Sequence, residues 1–221
     1  ILIAKEPDLG TALVLLLIGY GVLFFIGVYW KIWATIVSVI VLLSPLAYEY
    51  GLKDYQKVRI QDFLSEEPSY HVQQSIIAIG SGGLTGKSKE ESTQTQMKFL
   101  PIATSDFIFA FVVERSGFLG ALALISIYVM LILHLLSLSV FNKDYYIKVV
   151  TISISFMIFI YMGVNISMTI GYAPVVGVPL PMFSYGGSSF LNFMILFAIM
   201  QNLITFRYKD MYDKSGTKSF L

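Results

Sequence analysis

The chain has 221 residues, of which 56% are hydrophobic and only 13% are charged, and its mean hydropathy is +0.74. Soluble domains carry about 25% charged residues, so this composition indicates an integral membrane protein. The net charge of +1 argues against a nucleic-acid-binding protein, which would present a basic face. Because the chain has no cysteine, disulfides and thiolate metal sites are excluded.

Five apolar segments are candidates for membrane spans, each of which needs roughly 20 mostly apolar residues. The predicted spans are residues 11–28, 32–48, 107–140, 146–170 and 188–206. Pro45 lies near the end of the second span, where a membrane helix tolerates proline, with or without a kink. The third span is long enough that it must tilt, kink or protrude. This pattern predicts an all-α, polytopic membrane protein in which residues 1–221 are part of one membrane domain.

A polar segment, residues 49–105, separates the second and third spans and holds the largest share of the charged residues. Within it, the stretch YHVQQSIIAIGSGGL is typical of a short amphipathic helix that ends in glycines. Because this helix is too short to span a bilayer, we expect it to be interfacial or re-entrant.

The short connections predict the orientation, because cytoplasmic loops carry an excess of Lys and Arg. The tail 207–221 carries four, the link 141–148 two and the link 29–31 one, whereas the loop 171–184 carries none. We therefore expect a cytoplasmic C-terminus and an extracytoplasmic segment 49–105. That segment carries six Lys or Arg, but the rule weakens for loops of this length.

Asp106 stands at the entrance of the third span and has two compatible interpretations. It follows Ser105, and Ser, Thr and Asp at the start of a helix cap its free amide groups and suit its dipole. A carboxylate at the outer edge of a membrane can also serve as a general base.

Glu114 and Arg115 lie two turns further into the same span. Ionisable groups at this depth face a cavity or a partner, so a structural pair and a functional role stay equally open. Glu114 is eight residues from Asp106, or about 12 Å along a helix. That separation is too large for two carboxylates that act on one atom, which are about 5–10 Å apart.

The glycine-rich stretch IGSGGLTGKS resembles a phosphate-binding loop only superficially. A Walker loop would need glycine at position 81, which is Ser81, and no predicted strand leads into the stretch. The stretch could still hold a phosphate through Lys87 and free amides, or be a flexible turn.

Residues 149–206 contain no Asp, Glu, Lys, Arg or His, and prolines and glycines interrupt them around 171–189. Irregular backbone at membrane depth persists only where it is buried in protein or lines a cavity. We therefore expect a rigid re-entrant loop there, with a short external hairpin as the alternative. Asn165, late in the fourth span, is expected to hydrogen-bond between helices.

Cations are frequent in the outer segment, and they either contact anionic headgroups or bind phosphate. They are Lys53, Lys57, Arg59, Lys87, Lys89 and Lys98. Together with a carboxylate at the membrane edge, they suit a lipid-linked phosphate or pyrophosphate substrate on the outer face.

Five stretches, taken in order, resemble the SEDS family of bacterial shape, elongation, division and sporulation proteins, and its RodA-like branch above all. They are KEPDLGTAL (5–13), YQKVRIQDFL (55–64), YHVQQSIIAIGSGGLTGK (70–87), QMKFLPIATSDFIFAFVVERSGFLG (96–120) and PVVGVPLPMFSYGGSS (174–189). The resemblance implies a ten-helix protein of the bacterial cytoplasmic membrane, of which this chain is the C-terminal half. Arg115 stands where the family has a second carboxylate.

The resemblance further implies a peptidoglycan glycosyltransferase that polymerises lipid II outside the membrane, without nucleotide, beside a class B penicillin-binding transpeptidase. Its essential aspartate falls on Asp106, which we expect to be the catalytic base. We expect the lipid II and undecaprenyl-pyrophosphate-linked glycan to be bound by Arg59, Gln74, Ser75, Gly80, Gly82, Gly83, Lys87, Glu114, Ser184, Tyr185, Gly186 and Gly187.

Cofactors and alternative functions remain open at this point. No cofactor is certain, and a divalent cation (Mg²⁺ or Mn²⁺) could assist the leaving pyrophosphate. No residue pattern predicts a protein metal site. The main alternative is a lipid II flippase, because broken helices and intramembrane charges also suit transporters. A third is a non-catalytic scaffold for the transpeptidase.

Overall fold

The computed structural model describes residues 9–65, 68–88, 105–142 and 144–216, without the side chains of Leu9, Tyr55, Arg59 and the residues after 205. Within these ranges the chain forms helices and connections and no strand. The helices are α1 (Leu9–Ile26), α2 (Trp30–Leu46), α3 (Asp54–Leu64), α4 (Tyr70–Ser81), α5 (Ile108–Phe141), α6 (Tyr145–Thr169) and α7 (Gly187–Gly216). Lys89 and Lys98, two of the cations singled out above, lie outside the described residues.

The prediction of an all-α polytopic membrane protein is confirmed. Four described helical segments are long and apolar enough to cross a membrane: Trp30–Gly51, Ile108–Phe141, Tyr145–Thr169 and Gly187–Thr205. The first predicted span corresponds to a shorter apolar helix, Gly10–Ile26. Its 17 residues extend about 26 Å, slightly less than the roughly 30 Å of a bilayer core.

Pro45 does not end α2, which continues into a π-helical turn at Ala47–Gly51. Proline has no amide hydrogen, so the carbonyl of Val41 loses its usual donor four residues on. The Ser44 hydroxyl lies 2.9 Å from that carbonyl oxygen and donates to it instead. The helix therefore passes its proline with its backbone acceptors satisfied, as a membrane requires.

The core lies between α5 and α6, with α1 packed on the other side of α6. Buried residues of this core are Ile108, Phe109, Val113, Leu124, Leu135, Ile154, Ile158 and Leu180. Gly21 lets α1 approach closely, because a Cβ there would overlap the ring of Phe156. The same ring meets Phe25 edge-on, with centroids 5.5 Å apart. These contacts hold α6 at the centre of the bundle.

The predicted amphipathic helix is α4, and it packs against the beginning of α5 rather than lying free. Val72 and Ala78 are buried with Phe107 and Ala110 in a second, smaller cluster. The hydroxyl of Ser75 donates to the carbonyl of Thr169 at 2.7 Å, so α4 is also tied to the end of α6. This arrangement places the glycines that follow α4 beside the third turn of α5.

Candidate active site

Asp106 lies in a turn, residues 105–107, immediately before α5. The prediction that it caps the helix is wrong, because Phe107 occupies the N-cap position and no side-chain capping bond is made. The side chain of Asp106 is half-buried, and its carboxylate makes no hydrogen bond or ion pair with the part of the chain that the structure describes. A carboxylate without a structural partner is available for chemistry.

The backbone around Asp106 is held by two side chains from distant parts of the chain. Asn165 of α6 donates from Nδ2 to the carbonyl oxygen of Asp106 at 2.9 Å. The hydroxyl of Ser184 donates to the carbonyl oxygen of Ser105 at 2.6 Å. The turn is therefore fixed through its main chain, while the carboxylate remains unengaged.

The loop between α6 and α7, residues 170–186, is irregular and partly buried, as its composition predicted. Val178 and Leu180 are almost fully buried. Asn165 also donates to the carbonyl of Val178 at 2.7 Å, and the Tyr128 hydroxyl donates to the carbonyl of Pro181. Asn165 thus joins two non-helical segments, where an interhelical bond was predicted. These side chains satisfy loop carbonyls that have no helical partner, in addition to backbone bonds such as those from the amides of Phe183 and Ser184 to the carbonyl of Leu180.

Gly177 of this loop faces the carboxylate of Asp106. Its φ is +68°, a conformation that residues with a Cβ rarely adopt. A Cβ at this position would lie 3.7 Å from Oδ2 of Asp106, in van der Waals contact. The absence of a side chain at residue 177 therefore leaves that face of the carboxylate open.

The glycine-rich segment 82–88 fills a break in α5. At Gly117 the helix has φ +65° and ψ −165°, so the chain there is not helical. The amides of Phe118 and Leu119 donate to the carbonyls of Gly83 and Leu84, at 2.8 and 3.2 Å. The amide of Lys87 donates to the backbone carbonyl of Glu114 at 3.0 Å. The segment thus supplies hydrogen-bond partners that the break removes from the helix.

Close backbone contact explains the glycines of this segment. A Cβ on Gly82 would overlap the carbonyl of Val113, and one on Gly86 would overlap that of Arg115. The amide of Gly82 already donates to Ala78 and Ile79, and that of Gly86 donates to Gly82. These two amides are therefore engaged within the protein, whereas the sequence had suggested amides free for phosphate.

Glu114 and Arg115 differ sharply in environment, although they are adjacent in the chain. Glu114 is fully buried beside the break in α5, whereas Arg115 is exposed. The guanidinium of Arg115 lies over the ring of Phe111, 5.9 Å from its centroid. The contact of Glu114 with substrate stays a prediction.

The remaining predicted substrate residues fall into two groups around the Asp106 turn. Gln74, Ser75 and Gly80 lie on α4, where the Ser75 hydroxyl is engaged by α6. Ser184, Tyr185 and Gly186 end the loop before α7 and Gly187 begins that helix, with Tyr185 strongly exposed. Arg59 lies on α3, but its side chain is outside the described residues. Substrate contact by all of these residues stays a prediction.

Two hollows lie near the turn that carries Asp106. One, of about 590 Å³, is lined by Ile108, Phe183, Ser184, Tyr185, Gly186, Gly187 and Phe190, most of them in the predicted SYGG stretch. The other, of about 340 Å³, is lined by residues of 62–72 and 171–175, and sequence reasoning missed it. Val72 of its lining belongs to the cluster that contains Phe107, and Val175 packs against that cluster, so this hollow lies near the turn. Asp106 itself lines neither hollow.

A divalent cation has no protein-made site in the described part of the chain. There, no group of three or more His, Cys, Asp or Glu is arranged to hold a metal. Mg²⁺ is usually held by one or two carboxylates together with phosphates of a substrate, so a dedicated protein cage is not what it needs.

These features define an all-α membrane protein with a candidate active site at one end of a broken helix. The family model of cell cycle proteins that covers FtsW, RodA and SpoVE matches residues 1–209, and the chain belongs to this family.

Two relatives illustrate how near the similarity is. The chain is 61% identical over 208 residues to the peptidoglycan glycosyltransferase MrdB of Helicobacter pylori J99, covering 94% of this chain and 54% of that protein. It is 39% identical over 220 residues to MrdB of Escherichia coli K12, covering 97% of this chain and 59% of that protein. The chain thus spans somewhat more than half the length of these relatives.

Solved structures show the same fold. A chain of a peptidoglycan synthase complex, described as coordinating polymerization and crosslinking, matches with a TM-score of 0.78 and 28% identity over 94% of this chain and 58% of that chain. The rod shape determining protein RodA of Thermus thermophilus matches with a TM-score of 0.61 over 94% of this chain and 53% of that chain. At 24% identity, the second likeness bears on the fold alone.

Proposed function

We propose that the full-length protein is a peptidoglycan glycosyltransferase that polymerises lipid II into glycan strands for cell elongation and shape. The observation that carries the proposal is the Asp106 carboxylate, which has no partner in the described chain and is held in place through its backbone carbonyl. Relatives that share most of this chain are named peptidoglycan glycosyltransferases, which supports the same reaction class.

The proposed reaction is a single displacement at the anomeric carbon of the growing glycan. The 4-hydroxyl of the N-acetylglucosamine of one lipid II attacks that carbon as Asp106 takes the hydroxyl proton. The new C–O bond forms as the bond to undecaprenyl pyrophosphate breaks, and Asp106 then releases its proton to water. One displacement inverts the anomeric centre. A single displacement needs no enzyme nucleophile, so the scheme assigns none to Glu114, which lies on α5 eight residues after Asp106.

The leaving pyrophosphate gathers negative charge and needs cations or amide donors near it. Arg59 and Lys87 are the proposed cations, because guanidinium and ammonium groups pair well with phosphate. Lys87 is attached to the broken helix through its backbone amide. The amides of Gly82 and Gly86 already donate to carbonyls within the protein. We therefore propose that side chains, and not those two amides, stabilise the charge of the leaving pyrophosphate.

The proposed orientation puts the site outside the bacterial cytoplasmic membrane and the C-terminus in the cytoplasm. Lys148 lies in the first turn of α6, just after the link from α5, and Lys31 lies in the first turn of α2, both on the proposed cytoplasmic side. Asp106 lies at the other end of α5 from that link. A class B penicillin-binding transpeptidase is the proposed partner, and a synthase complex among the solved neighbours supports this pairing.

The test of this function separates polymerisation from translocation. Purified full-length protein with its transpeptidase is expected to convert lipid II in detergent into glycan strands, resolved by gel. In vesicles, labelled lipid II on one leaflet is expected to stay there when polymerisation is blocked. Translocation without any polymerisation would overturn the proposal in favour of a flippase.

Replacing Gly177 with Ala is expected to lower polymerisation about 10-fold or more. The added methyl would lie 3.7 Å from Oδ2 of Asp106, on the side where an acceptor hydroxyl must approach. Gly27→Ala is the matched control, because Gly27 also has a positive φ, +84°, but has no atom within 4 Å of the added Cβ. Gly27→Ala therefore tests backbone strain alone. Equal activity of the two variants would contradict the open-face interpretation.

A further inference from the structure

Asn165 is a buried polar side chain that contacts the backbone of the proposed base. It is fully buried in α6, within the long stretch that has no Asp, Glu, Lys, Arg or His. Its Nδ2 donates to the carbonyl of Asp106 at 2.9 Å and to the carbonyl of Val178 at 2.7 Å. An amide nitrogen has two hydrogens, so both are used.

The other end of the same amide has no hydrogen-bond partner in the described chain. Oδ1 of Asn165 is buried and unpaired. Turning the amide over would set this oxygen against two carbonyl oxygens, so the two contacts determine which way the group faces. Burying an unpaired amide oxygen costs free energy. The side chain therefore bears a cost in stability in order to hold two carbonyls.

Those two carbonyls belong to the two segments that meet at the carboxylate. One is the carbonyl of Asp106 itself, and the other is the carbonyl of Val178. Val178 directly follows Gly177, the residue that faces Oδ2 of Asp106. Ser184 makes a second tie between the same segments, because it donates to the carbonyl of Ser105 and accepts from the amide of Leu180 at 2.7 Å. The position of the carboxylate thus depends on these ties.

We propose that Asn165 is a positioning residue, which acts through Asp106 by setting the carboxylate against the open face at Gly177. This inference rests on the proposed function of Asp106. Asn165 touches no reacting atom in this scheme. Its loss should therefore slow the chemical step and leave substrate affinity unchanged, since a displacement of about 1 Å at a catalytic group can cost about 100-fold in rate.

The test uses Asn165→Leu in the full-length protein, which keeps the branching and the number of side-chain heavy atoms and removes both donors. We expect kcat for lipid II polymerisation to fall about 10- to 100-fold with KM unchanged. Thr151→Val is the matched control, because Thr151 is also fully buried on α6 but its hydroxyl donates only to Ile147 of the same helix, at 2.7 Å. Thr151→Val should retain wild-type kcat.

The single variant Asp106→Asn separates this inference from the function on which it rests. It tests the base directly, whereas Asn165→Leu tests the support of the base through kcat and KM. A rise in KM at constant kcat, or an equal loss from Thr151→Val, would overturn the positioning role. Wild-type activity of Asp106→Asn, with Asn165→Leu still impaired, would instead overturn the assignment of the base.

A second variant tests the proposal if Asn165→Leu does not fold. Thermal unfolding in detergent shows whether Asn165→Leu is folded, and if it is not, Asn165→Asp is measured in its place. The aspartate keeps the volume and, when neutral, one of the two donors. We expect an intermediate loss in kcat with KM unchanged, and unaltered kcat would overturn the proposal.

Discussion

Full-length protein carrying Asp106→Asn should form no glycan strands above background, a loss of at least about 100-fold in polymerisation rate. The amide has almost the same size as the carboxylate but cannot take the proton of the attacking hydroxyl. Since the carboxylate makes no hydrogen bond in the described chain, the substitution removes no structural contact. We therefore expect the thermal unfolding midpoint to stay within experimental error of the wild type.

The same substitution at Asp144 is the control for this result. Asp144 caps α6 by accepting from the amide of Tyr146 at 2.9 Å, and asparagine caps a helix about as well. Asp144→Asn should therefore keep both stability and polymerisation. Strand formation by Asp106→Asn at more than a few per cent of wild type would refute the assignment of the base, whatever the control does.

Gly117→Ala should destabilise the protein by about 3 kcal/mol or more, the sum of backbone strain and overlap. The backbone angles at Gly117, φ +65° and ψ −165°, lie in a region that is essentially restricted to glycine. An added Cβ would also overlap the amide nitrogen of Gly86, which is main chain and cannot rotate away. The expected result is a lower yield of folded protein and a clearly lower unfolding temperature in detergent.

Gly163→Ala on α6 shows what the same change does without these constraints. Nothing lies within 4 Å of a Cβ at Gly163, which is inside a regular helix. Alanine is favoured there by about 0.5–1 kcal/mol, so this variant should be neutral or slightly more stable. If Gly117→Ala were as stable as Gly163→Ala, α5 would have to run unbroken through residue 117, contrary to the structure described above.

Membrane helices were predictable from local composition because the bilayer imposes the length of an apolar segment. The third predicted span, 107–140, and the observed helix Ile108–Phe141 differ by one residue at each end. α1 is the least regular match, at 17 apolar residues. The amphipathic pattern before the glycines likewise predicted α4, since its apolar face had to pack somewhere.

The candidate base was predictable from the ordered motifs, but its local role was not. Spacing alone favoured a helix cap at Asp106, and the N-cap is instead Phe107. Whether a carboxylate caps a helix depends on a shift of one residue in the helix start, which sequence patterns do not resolve.

By itself, the sequence determined the helical membrane fold and the set of residues that could carry chemistry, because both follow from composition, period and short motifs. Only the tertiary structure decided that Asn165 holds Asp106, that Gly177 faces its carboxylate and that segment 82–88 fills the break at Gly117. The physical reason is sequence distance. These contacts join residues about 30 to 70 positions apart. Most of them are made to main-chain amides and carbonyls, which every residue type carries, so no local sequence pattern identifies them.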